Sequence, residues 1–143
     1  MSGKRARIAV AVVWTALVLA LPTSASGATE IGSTFDPGTS SCGDFLLQSV
    51  SPPTDSYVVP FAGVLTSWSY QAAGESGQLK LKVADPEGGN LFTVVGESAV
   101  EVAQANVLNT FPTRIRVQAL DVIGLTPVTS GIPCVRSMTG YSY

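Results

Sequence analysis

Past residue 27 the chain alternates between apolar and polar side chains in short bursts, with a period of two rather than the 3.6 of a helix. Residues 78–83 show it best: on an extended backbone Leu79, Leu81 and Val83 fall on one side, and Gln78, Lys80 and Lys82 on the other. Residues 113–118 repeat the arrangement, with Ile115 and Val117 turned inward and Arg114 and Arg116 outward. Strands with one dry and one wet face belong to antiparallel sheets. Residues 45–50, 57–61, 64–70, 91–96, 122–125 and 132–137 are further candidates, which makes eight strands. Residues 98–108 carry a mixed signal and are read as irregular or weak strand: Val100 and Val102 alternate, while Ala99, Val102, Ala103 and Val107 would line one side of a helix.

Turn residues separate these runs. Asp36-Pro37-Gly38, Ser51-Pro52-Pro53, residues 73–77, residues 85–90 and Ser130-Gly131 supply the positive φ or fixed proline φ that a reversal needs. Pro60, Pro112 and Pro133 stand at strand ends, where a missing N–H costs least. Short strands with no helix between them predict an all-β fold, a two-sheet antiparallel β-sandwich, in one domain over residues 28–143.

The N-terminus follows a different pattern. Lys4, Arg5 and Arg7 precede an uncharged, mostly apolar run over residues 8–21, which Pro22 ends before a series of small residues. That is the layout of a secretory signal peptide, a helix removed on export. Both Thr23-Ser24-Ala25 and Ala25-Ser26-Gly27 offer small residues to the peptidase; the second assigns residues 1–27 to the signal and starts the mature chain at Ala28. As a helix the apolar run spans about 21 Å, short of a hydrocarbon core of roughly 30 Å. The expected location is therefore extracellular, with membrane contact only through the signal before cleavage.

Composition narrows the chemistry. The 143 residues include no histidine, which removes imidazole-based nucleophile systems and His-ligated metal sites. Loss of the signal leaves five cations, Lys80, Lys82, Arg114, Arg116 and Arg136, against ten acids, a net charge of −5. So few scattered cations argue against a nucleic-acid partner. Outside the cytoplasm the two cysteines, Cys42 and Cys134, read as one structural disulfide. A reactive thiol is the weaker reading, because no histidine is present to activate it.

Residues 85–90 gather Asp85, Glu87 and Asn90, oxygen donors of the kind calcium takes, but without the spacing of a known calcium loop; a solvated hairpin is expected, and no metal or cofactor. Glu97 with Glu101, or Glu75 with Asp121, are carboxyl pairs a glycosidase would need, yet nothing singles one out. No Gly-x-Ser-x-Gly or Ser-x-x-Lys occurs, and Gly88-Gly89 lacks the following helix of a phosphate site. No enzyme is expected.

Trp68 and Tyr70 lie two apart and share a face with Val64. That face is read first as core, since each aromatic buries a large area, and second as a platform for stacking sugar rings. Tyr57, Tyr141 and Tyr143 would join an aromatic surface.

The stretches VPFAGVLTSWS (residues 59–69), QLKLKV (78–83), FTVVGES (92–98) and LNTFPTRI (108–115) resemble a group of uncharacterised secreted proteins of actinobacteria. The resemblance implies a secreted β-sandwich and no catalytic residue. It also implies a C-terminus shortened relative to the group. Residues 117–125, VQALDVIGL, are similar to the V-x-A-G-D-x-I-G stretch of jelly-roll binding modules, so the sandwich is expected to be jelly-roll-like. Leu120 stands where those modules carry glycine, and leucine does not readily take φ > 0. The expected function is a non-catalytic extracellular module, structural or adhesive, whose partner is a protein or polysaccharide at the cell surface. The alternative is a carbohydrate-binding module using Trp68 and Tyr70.

Overall fold

In the computed structural model, which describes residues 27–38, 40–41, 46–47, 50–51 and 55–135, the strictest alternation in the sequence becomes the longest and most central strand. The strands in order are β1 (Ser40–Ser41), β2 (Leu46–Leu47), β3 (Val50–Ser51), β4 (Asp55–Ser56), β5 (Gly63–Gln71), β6 (Gly77–Gly88), β7 (Leu91–Glu97), β8 (Glu101–Ala103), β9 (Leu108–Val117), β10 (Val122–Pro127) and β11 (Pro133–Val135). No helix occurs among the described residues. The expected signal helix lies outside them, as do residues 45, 48 and 49 of the candidate strand at 45–50, while Leu46, Leu47 and Val50 are in strands.

One edge of β6 pairs with β10, and the other with β8 and then β7, while β2 extends the sheet beyond β10. A second ladder joins β5 to β9, and two short ones join β1 to β11 and β3 to β4. Every ladder is antiparallel. Leu79, Leu81 and Val83 of β6 meet Trp68 and Tyr70 of β5 and Ile115 and Val117 of β9 in one core, an arrangement consistent with a β-sandwich. Side chains of this size contribute about 1.5–3 kcal/mol each when fully buried. Gly96 of β7 faces Ile115: a Cβ at residue 96 would stand 2.5 Å from the Ile115 Cγ2. The strands close together there because residue 96 has no side chain.

The pairing of β5 with β9 contains a register shift that the sequence pattern does not announce. Leu65 opposes Ile115, but Ser67 opposes Pro112, so β9 carries one residue more than β5 across this step. Pro112, having no N–H to donate, sits at that irregularity. The inward side of β5 therefore changes parity. Leu65 packs against the core together with Trp68 and Tyr70, whereas Val64, expected on the Trp68 side, is 44% exposed.

Three further expectations are corrected. Residues 57–61 form no strand; Val58 makes an isolated bridge to Val122, and the backbone of Val59 bonds to Asp121 and Leu120 instead. The reversal at 85–90 shrinks to Gly89 and Asn90, because β6 continues to Gly88. Leu120 does adopt a positive φ, 77°, in the turn between β9 and β10, held by hydrogen bonds from Leu120 N to Val59 O and from Gln118 N to the Asp121 carboxylate. At residues 98–108 the weak-strand reading agrees with β8, three residues paired to β6.

Candidate functional site

The two aromatics singled out for sugar stacking face inward. Trp68 is 7% exposed and tilts against Phe111 of β9, with ring centroids 4.8 Å apart. Tyr70 is 5% exposed and donates its hydroxyl to the Pro133 carbonyl; burial disfavours the phenolate and pushes its pKa up to about 12. Neither ring presents a face to solvent, so the exposed platform is absent. Tyr57 stands apart from them and anchors residues 27–38: its hydroxyl donates to Ser33 O at 3.0 Å, and Gly32, at φ 75°, passes so near the ring that a Cβ would lie 2.5 Å from it. Tyr141 and Tyr143 lie outside the described residues.

The carboxylates are dispersed. Glu97 accepts a 2.7 Å ion-paired hydrogen bond from Lys80, which holds its carboxyl below the usual range. Asp121 is buried in the β9–β10 turn, where its carboxylate accepts from Gln118 N at 2.7 Å and so shapes the backbone. Asp85 and Glu87 lie on the exposed end of β6. Among the described residues no three His, Cys, Asp or Glu side chains gather as a metal site would require. Cys134 is buried, and none of the described cysteines is a free thiol; Cys42 lies outside the described residues.

Two features remain. The first is a cavity of about 740 Å³ between residues 27–37, β5 and the β6–β10 pair. Trp68 lines it, and the Trp68 Nε1 is buried without a hydrogen-bond partner. An unmet buried donor of this kind costs about 1–3 kcal/mol.

The second is β7. Among the described residues it ends the sheet path, and it is exposed from Leu91 to Val95, with Leu91 at 70%, Phe92 at 42%, Val94 at 44% and Val95 at 51%. The register shift between Val83 and Ala84 of β6 places one extra residue in β7 near Val94 and Val95. No protein-family model, curated protein or solved structure matches this chain. Its function is therefore argued from these surfaces. Neither is evident from local pattern, because an apolar run such as Leu91-Phe92-Thr93-Val94-Val95 reads as a buried strand until its neighbours are known.

Proposed function

We propose that the protein is a secreted, non-catalytic adhesive module of jelly-roll-like sandwich architecture, and that it associates with a second copy of itself by pairing the edges of two β7 strands. The observation that carries this reading is the row Leu91, Phe92, Val94 and Val95, exposed on an edge strand. Unpaired edges of this kind template further strands and are usually guarded by charge or proline, neither of which β7 contains before Glu97. Strand addition uses main-chain hydrogen bonds for affinity and side-chain contacts for selection.

Charge does not oppose a second copy at β7. Identical chains of net charge −5 repel over most of their surface, but the run from Gly88 to Gly96 carries no charge. An antiparallel register centred on Thr93 sets Leu91 against Val95 and Phe92 against Val94 of the other copy. Glu97 is the single acid of β7, so within the paired strands no two acids meet. The Lys80 ion pair further reduces the charge at Glu97.

Export is supported by the basic, apolar and small-residue order of residues 1–27, and so is a Cys42–Cys134 disulfide. Ser41, the chain neighbour of Cys42, pairs with Pro133, the neighbour of Cys134, in the β1–β11 ladder. The full chain, expressed with its own N-terminal segment and recovered from the medium, is expected to elute as a dimer in light-scattering chromatography. Val94→Lys is expected to give a monomer with an unchanged melting temperature. A wild-type chain that stays monomeric across the micromolar range, or a Val94→Lys protein that remains dimeric, overturns the proposal.

A further inference from the structure

The cavity described above runs along the whole of β5. Every residue from Gly63 to Gln71 lines it, so side chains of both parities contribute and the opening follows the edge of the strand rather than one face. Among the described residues β5 has one ladder partner, β9. An antiparallel strand directs the N–H and C=O of alternate residues to each side, so about half of the β5 main chain faces away from β9. Residues 27–37 form the opposite wall, held by a main-chain hydrogen bond from Gly32 N to Ser56 O rather than by pairing with β5. Open strand edges are ordinarily covered by another segment or guarded by charge or proline, and β5 contains neither guard.

The chain itself arrives at this edge. Cys134 lines the cavity, and Tyr70, near the C-terminal end of β5, donates to the Pro133 carbonyl, so β11 delivers the chain to that end of the strand. The residues that follow Val135 in the sequence, 136–143, span about 27 Å when extended, against about 31 Å for the nine residues of β5. Running from the Tyr70 end toward Gly63, they would be antiparallel to β5. Tyr141 and Tyr143 would then reach the end where Phe61 and Val64, 58% and 44% exposed, line the cavity without cover. Charge agrees, since Glu30 is the one charged lining residue and Arg136 the one charged side chain of the segment. No proline in 136–143 withholds a main-chain donor.

We propose that residues 136–143 of this chain add to the free edge of β5 as an antiparallel strand, filling the cavity and setting Tyr141 and Tyr143 against Phe61 and Val64. The addition extends the β5–β9 ladder to three strands. Main-chain hydrogen bonds supply the affinity, and the tyrosines fix the register.

Amide hydrogen exchange followed by NMR, on the full chain recovered from the medium, tests this. Over Ser67 to Gln71, where the pairing with β9 is regular, an open edge gives fast and slow amides in alternation, whereas a covered edge is expected to make all of them slow. Thr139→Pro, which removes a main-chain donor, and the double variant Tyr141→Ser with Tyr143→Ser are expected to speed alternate amides of Ser67 to Gln71 by at least about tenfold, the scale of one hydrogen bond. Amides of β6 are expected to keep their wild-type rates in both variants, which reports that the fold is retained. Alternating protection in the wild-type chain, or wild-type protection of β5 in both variants, overturns the proposal. So does protection that fades on dilution, which assigns the covering strand to a second copy. Val94→Lys does not touch β5, so failure of the pairing at β7 is read separately.

Discussion

Leu120 shows how far a single residue can depart from its own preference when its neighbours demand it. It holds φ 77° and is 68% exposed, so it bears the steric cost of a left-handed conformation without gaining burial. The cost to an L-residue there is about 1–2 kcal/mol, part of which glycine returns through its larger unfolded-state entropy. Leu120→Gly is therefore expected to stabilise the protein by about 0.5–1 kcal/mol, seen as a higher urea midpoint with an unchanged slope. Tyr70 makes the opposite case, a polar group whose burial is matched by the Pro133 carbonyl. Its pKa is raised from 10.0 to about 12 on folding, so the folded chain keeps a proton that the unfolded chain releases between those values. Stability is then fully present below pH 10 and falls as pH rises toward 12. Tyr70→Phe is expected to remove that alkaline slope and to cost about 1–3 kcal/mol at neutral pH, because the buried carbonyl loses its donor; an unchanged slope in pH-dependent denaturation would refute this role.

At the scale of elements, the period-two pattern of β6 was fully legible because its inward residues lie on a strand with partners along both edges. Leu79, Leu81 and Val83 are all buried as the alternation predicts. The same reasoning misplaces Val64, since a register shift against β9 reverses the parity of β5 between Leu65 and Trp68. A shift depends on the partner strand, which local spacing does not contain. The packing of β7 on β9 depends on an equally remote contact, the approach of Gly96 to Ile115. Gly96→Ala is expected to cost about 1–3 kcal/mol through overpacking. Pairing it with Ile115→Leu, which takes away the Cγ2 methyl that a side chain at residue 96 would meet, should recover part of that loss in thermal denaturation; strict additivity would show that the two sites do not press on each other.

Across the whole molecule, distant segments are held together at a few points. The short β1–β11 ladder joins residues near the two ends of the described region, and the proposed Cys42–Cys134 bridge would lock it. Closing a loop of that length stabilises by up to about 4–5 kcal/mol in the chain-entropy account. Dithiothreitol, or Cys42→Ser with Cys134→Ser, is expected to lower the melting temperature markedly, and free thiols titrating in untreated exported protein would exclude the bridge. The amino-acid order alone determined the all-β class, the inward faces of β6 and β9 and most of the reversals, because alternation and turn chemistry are short-range and each window carries its own signal. Tertiary structure decided that Val64 leaves the inward face that Trp68 and Tyr70 keep, that β7 lies at an edge with Leu91 and Phe92 uncovered, and that a cavity opens beside Trp68. Those outcomes depend on which strands become neighbours, and that is settled only when segments far apart in the chain compete for the same buried surface.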